Sequence, residues 1–380
     1  MRDANIKTTQ GKPEGRPWVV FSREKFWREA AMWSAIGFAG VLGAAAIAWT
    51  YWTGTVGETR PAVASRLEGQ ADGTVSATQP AVPTRRRLID GVAVPEDTPA
   101  SLRFFAAVID NLSVARPQSG LTKASLIYEA PVEGGITRFL AIFPEGESVD
   151  RVGPVRSARP YFLDWAAEFD ALFVHVGGSP EALDKLRAYD MRDLNEFLAG
   201  RYFWRDQARQ APHNAYTSLA LLTEADSKRF GDRKLPEVAG WRFKDDAPPA
   251  ERPAEAALSI KYGDPKALVG WTYEAEDNMY RRFQGGKAQS DADGTAVRAK
   301  NIVIQYTNVS VIDDVGRRKI VTVGEGEALI ALDGMAVHGT WRKGDRTSRT
   351  RFYDASGNQI RLNAGPTWIE VVPTDTSVEY

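Results

Sequence analysis

Uncharged, polar and alternating stretches follow one another in blocks along this chain. No charged residue falls between Glu29 and Glu58. The apolar run Met32 to Trp52 inside that window is long enough to cross a hydrocarbon layer of roughly 30 Å. It predicts a transmembrane helix over 30–52. Trp33 stands at one end, and Trp49, Tyr51 and Trp52 stand at the other, as an aromatic belt requires. Arg2, Lys7, Lys12, Arg16, Arg23, Lys25 and Arg28 precede the span, so residues 1–29 are expected to be a cytoplasmic tail. Residues 53–99 lose all apolar periodicity and are rich in Ala, Thr, Pro, Gly and charge, which predicts a flexible linker. Arg85, Arg86 and Arg87 within it suit either a solvated face or contact with acidic lipid or wall polymer.

From about 100 to 235 short apolar runs alternate with helical signals. Phe104–Ile109, Ser125–Tyr128, Arg138–Phe143 and Leu172–Val176 read as buried strands. Ser179-Pro180-Glu181 is a helix start, with a capping hydroxyl, proline at the first helical position and an acid in the first turn. Pro160 opens a second helix through Glu168. Ser218 to about Phe230 predicts a third, with Gly231 past its end. Proline and mixed charge make 236–257 a linker. Ten strand-like runs follow over 258–373, separated by turns such as Asp293-Gly294, Asp333-Gly334 and Ser356-Gly357-Asn358. The expected fold class is an α/β (or α+β) N-terminal extracytoplasmic domain at 100–235 plus a mostly β C-terminal domain at 258–373, preceded by one transmembrane helix.

Composition narrows the chemistry. The net charge of -1 lacks the basic field that a nucleic-acid binder needs. The absence of cysteine removes disulfides, thiolate metal sites, a cysteine nucleophile and a lipid-modified cysteine.

Candidate chemistry lies in the loops after the first domain's strands. Arg116, Arg138, Arg156, Arg159 and Arg205 offer rigid donor forks that suit carboxylate and phosphate. Arg156-Ser157-Ala158-Arg159-Pro160 and Gly177-Gly178-Ser179-Pro180 both stand where a strand feeds a helix, and free N–H groups at such starts bind anions. Asp110, Asp206 and Asn214 complete the expected ligand-binding set. The competing reading is a structural network in which the arginines pair with Asp110, Glu129, Glu133, Asp164 and Asp206. For proton transfer the candidates are Glu129, Glu133, His175 and His213. No zinc spacing occurs, so any metal held by such carboxylates is expected to be Mg²⁺ or Ca²⁺.

These loops resemble the YerB-like family of bacterial envelope proteins, a two-part domain of unknown function. The resemblance is carried by Ile109-Asp-Asn111 with Ala115-Arg-Pro-Gln-Ser-Gly120, Tyr128-Glu-Ala-Pro-Val-Glu-Gly-Gly135, Gly153-Pro-Val-Arg-Ser-Ala-Arg-Pro160, His175-Val-Gly-Gly-Ser-Pro180 and Ala211-Pro-His-Asn214. Gly339-Thr-Trp341 and Gly365-Pro-Thr-Trp-Ile369 carry it in the second part. It covers roughly 100–373 and implies an extracytoplasmic domain tethered to the membrane, often by a lipid on cysteine, where this chain has an uncharged span instead. In pattern alone the loops are also similar to the LytR-CpsA-Psr transferases of wall glycopolymers. The resulting expectation is a single-pass cell-membrane protein with its main domains outside. It would bind an anionic cell-wall glycan or lipid-linked precursor, or an envelope protein partner, and no nucleic acid. The alternative is a glycopolymer or phosphoryl transferase or hydrolase that uses the arginine- and acid-rich loops, with Mg²⁺ as the candidate cofactor.

Overall fold

Every residue of the strand Phe104–Asp110 is buried. Its side chains alternate between two cores: Phe105, Ala107 and Ile109 face one, and Phe104, Ala106 and Val108 face the other. A strand covered on both faces reads as a continuous apolar run rather than an alternating one. The computed structural model describes residues 84–99, 102–231, 239–262 and 267–380. The architecture is mixed α+β with a large β-rich carboxy-terminal part.

Phe104–Asp110 belongs to a ten-stranded mixed sheet built from both halves of the chain. Thr367–Pro373 pairs in parallel with Asn301–Thr307 on one side and with Leu126–Pro131 on the other. The segments at 100–235 and 258–373, separated by composition, therefore share one hydrogen-bonded sheet. The helices Pro160–Ala167 and Pro180–Ala188 cover one face, placing Tyr161, Phe162, Leu163 and Trp165 in the core. The other face packs against a six-stranded sheet through Leu258, Ile260, Val269 and Trp271, and against the helix Leu219–Phe230.

The helix signals hold in detail. Ser179 Oγ accepts the Ala182 N–H and Ser218 Oγ accepts the Leu221 N–H, each removing an orphan donor from a helix start. Asp333 and Gly334 both have positive φ, 53° and 77°, which is the I′ geometry expected of a two-residue hairpin turn.

The described parts of the two stretches assigned to linkers, 84–99 and 239–257, are built into the molecule, while 53–83 and 236–238 lie outside the described residues. Thr84–Arg86 pairs with Ala93–Pro95, Ile89 and Asp90 are buried, and Arg87 pairs with Asp90 at 2.5 Å and Glu147 at 2.8 Å. Phe243–Lys244 pairs with Leu362–Asn363, and Trp241 is buried. The expected tail and span, 1–29 and 30–52, lie outside the described residues. Among the described residues no helix is long and apolar enough to cross a membrane.

Candidate anion site at the strand ends

Phe104–Asp110 and Leu172–His175 are parallel, and Thr137–Pro144 runs antiparallel to Phe104–Asp110, with Asp110 opposite Arg138. Loops leaving the carboxyl ends of parallel strands are where open α/β sheets place ligands. The segment 153–160 is an extended ribbon laced across these loops. Its bridges join Ser119 to Gly153, Ile109 to Val155 and Ala158 to Gly178. Gly153 is required there: it has φ 147°, and a Cβ would sit 2.8 Å from the Ala215 carbonyl oxygen.

Asp110 is the centre of the assembly. One carboxylate oxygen accepts the Leu112 N–H at 3.0 Å. The other lies 2.6 Å from His213 Nδ1 and 2.9 Å from Arg156 Nε. Burial opposes its ionisation, but the Leu112 amide, the Arg156 charge and the His213 contact outweigh that and hold its pKa below the ordinary value. His213 Nε2 has no protein partner among the described residues.

Arg138 and Arg159 flank this pair. Arg159 forks onto Glu133 with two contacts of 2.7 Å. Burial would raise the Glu133 pKa, but these bonds and the Arg159 charge lower it. Arg138 is 5 % exposed, donates to the Ser157 carbonyl at 2.9 Å, and has a buried Nε without an acceptor. No carboxylate lies within ion-pair distance of it among the described residues. Burial, then the Arg159 charge, pulls its pKa down to about 10. Three guanidiniums, Arg138, Arg156 and Arg159, thus face two carboxylates, Asp110 and Glu133.

The other predicted residues divide between this site and its scaffold. Gly177, Gly178 and Ser179 adjoin it through backbone bonds between Ala158 and the Gly177 carbonyl and Ser179 amide, but the Ser179 hydroxyl is used as a helix cap. Arg205 grips Glu196 and the Asn214 side chain, and Asp206 pairs with Arg151. Arg116 bonds to Asn111. His175 is fully buried, with its ring nitrogens 2.7 Å from the Gly177 carbonyl oxygen and 3.0 Å from Asp193, which leaves neither free for a substrate.

Glu129 sits in the seam between the two halves. It is fully buried and accepts from Arg282 at 2.6 Å, Trp368 at 3.1 Å and Thr137 at 2.5 Å. The Arg282 guanidinium also reaches Gln284 and Gln289 and lies over the Trp368 ring at 4.8 Å. Sequence reasoning missed Arg282, because an arginine in the run Met279–Gln284 reads as the solvent face of a strand. Among the described residues no three His, Asp or Glu side chains are grouped as metal ligands would be. Asp110, Glu129 and Glu133 are each held by an arginine instead.

The family models that match are the N-terminal domain, over residues 91–232, and the C-terminal domain, over 258–369, of the protein of unknown function DUF3048. A protein of Bacillus subtilis (strain 168), named as a candidate lipoprotein, YerB, is 34% identical over 275 residues, covering 71% of this chain and 81% of its own. The chain belongs to the YerB-like family. The crystal structure of the Bacillus subtilis YerB protein matches this YerB-like chain with a TM-score of 0.69 at 31% identity, over 78% of this chain and 99% of that one. Both YerB family parts contribute strands to the shared sheet, and Glu129 of the first part pairs with Arg282, on the six-stranded sheet of the second.

Proposed function

We propose that this chain is a membrane-anchored envelope protein that binds an anionic cell-wall component through the loops around Arg138. The observation that carries the reading is the buried Arg138 guanidinium beside Arg156, which among the described residues has a vacant N–H and no carboxylate within ion-pair distance. A buried cation is kept at a cost unless something pairs with it, and a phosphate or carboxylate fits its fork. The anchor is supported by the uncharged run at 30–52, the basic tail and the lipoprotein name of the relative. Protease added to intact cells should then remove the bulk of the chain and leave a short membrane stub. Full protection of the large part would refute that placement.

Arg138→Met separates ligand binding from a structural network. An anion site predicts at least tenfold weaker binding to purified lipid-linked precursor or wall fragments, with melting temperature held or raised. A structural cation predicts lower melting and unchanged binding. The Asp110–His213 pair favours a second reading, in which His213 Nε2 transfers a proton in glycopolymer or phosphoryl transfer. Incubation with the same precursor and fragments, with and without Mg²⁺, followed by mass spectrometry, tests it. Turnover abolished by His213→Ala supports catalysis, and unaltered substrate with wild-type protein rejects it.

A further inference from the structure

A second arginine-rich site lies on the helix-covered side of the ten-stranded sheet. A cavity of about 790 Å³ opens between the end of the helix Pro160–Ala167, the 189–192 turn and the strands Met335–Lys343 and Arg351–Asp354. That volume falls in the range of small-molecule sites, roughly 300–1,000 Å³. It shares no lining residue with the Asp110–His213 site.

Its charge is not balanced. Arg349 lines the cavity, and its side chain is 1% exposed. The guanidinium is stacked between Phe169 at 3.8 Å and Trp241 at 4.1 Å, and among the described residues none of its three nitrogens has a hydrogen-bond acceptor. The nearest carboxylate oxygen, on Glu168, is 3.8 Å away. Glu168 is already engaged by Lys343 at 3.0 Å, by the Thr350 hydroxyl at 2.6 Å and by the Thr350 amide at 3.1 Å. Two buried cations therefore share one carboxylate. Burial draws the Arg349 pKa down to about 10, which leaves the group charged at neutral pH.

Two more arginines extend this field toward solvent. Arg346 lies over the Tyr189 ring at 4.3 Å, and Arg342 lies over the Tyr353 ring at 4.7 Å. Arg346 has no carboxylate partner among the described residues, and Arg342 has only the exposed Glu325 at 3.3 Å. Of the cavity's other acids, Asp170 faces Arg192 at 3.5 Å and Asp190 stands at the turn. Stacking on tyrosine holds each guanidinium fork in place, and among the described residues nothing accepts from Arg346 or from the Arg342 Nη groups, the arrangement that suits planar or tetrahedral oxyanions.

We propose that this cavity is a second anion site, which takes a small molecule bearing a phosphate or a sugar carboxylate on Arg342 and Arg346 over the uncompensated charge of Arg349. Calorimetric titration of the full chain with inorganic phosphate and, separately, with glucuronate tests this and tells the two oxyanion sources apart. The titrations are run on Arg156→Ala, which disables the strand-end site, and on an Arg342→Ala/Arg346→Ala double variant made in that Arg156→Ala background. At least one of the two anions should bind Arg156→Ala and bind the double variant at least tenfold more weakly, with its melting unchanged. Failure of both anions to bind Arg156→Ala overturns the proposal, as does a double variant that binds as tightly as Arg156→Ala. Loss of wall-fragment binding in Arg138→Met is a separate result and leaves this one standing.

Discussion

Arg282 and Glu129 show what a single residue decides here. Both side chains are fully buried, and their pair spans the two family parts. Removing one partner of such a pair leaves a buried charge uncompensated, which costs roughly 3–5 kcal/mol. Arg282→Ala should therefore lower the unfolding free energy by about that amount in denaturant titrations, and an unchanged midpoint would show that the pair is not structural. Glu370, opposite Glu129 in the sheet, behaves in the other sense. Burial, then the Glu129 charge, raises its pKa well above the ordinary value. The folded chain holds this proton more tightly than the unfolded chain does. Its contribution is therefore complete below the unfolded value of about 4.3 and is lost as pH rises toward the folded pKa. Glu370→Gln, a neutral near-isostere, should gain stability over wild type as melts move from acid to mildly alkaline pH. A gap that does not change with pH would reject this.

At the scale of elements, local signals and tertiary ones separate cleanly. The Asp333-Gly334 turn is local. Gly334 has φ 77°, and a Cβ there would meet Pro253 at 2.5 Å and Tyr273 at 2.6 Å. Gly334→Ala should cost at least the 1–2 kcal/mol or so of a left-handed alanine, read as a lower melting temperature. The same kind of local chemistry made the caps at Ser179 and Ser218 and the buried run Phe104–Asp110 legible in the sequence. Asp110, Arg138, Arg156 and His213 stood out in the sequence as polar residues at strand ends, but the same signal also picked out His175, which is buried with both ring nitrogens bonded. What stayed hidden depends on partners distant in the chain. Ile89 and Trp241 read as linker residues because the surfaces that bury them come from elsewhere. Glu129 read as a catalytic acid because its partner, Arg282, lies 153 positions away. Arg349 gave no signal at all, since only the fold brings Phe169 and Trp241 onto its two faces.

For the whole molecule the governing fact is the placement of Thr367–Pro373 between strands of the two halves. Ending the chain at residue 366 would split the ten-stranded sheet and expose Asn301–Thr307 and Leu126–Pro131 as edges. The shortened protein should aggregate rather than melt cooperatively, and a cooperative melt near that of wild type would refute the argument. This placement also has a temporal side. The ribosome delivers the middle strand of the sheet after both of the strands it pairs with, Leu126–Pro131 and Asn301–Thr307. Until then its two neighbours have unpaired backbone facing each other, and the long-range parallel pairings are of the slow-forming kind. The sheet must therefore remain unfinished, and its two halves be kept from sticking to other chains, until Thr367–Pro373 has emerged.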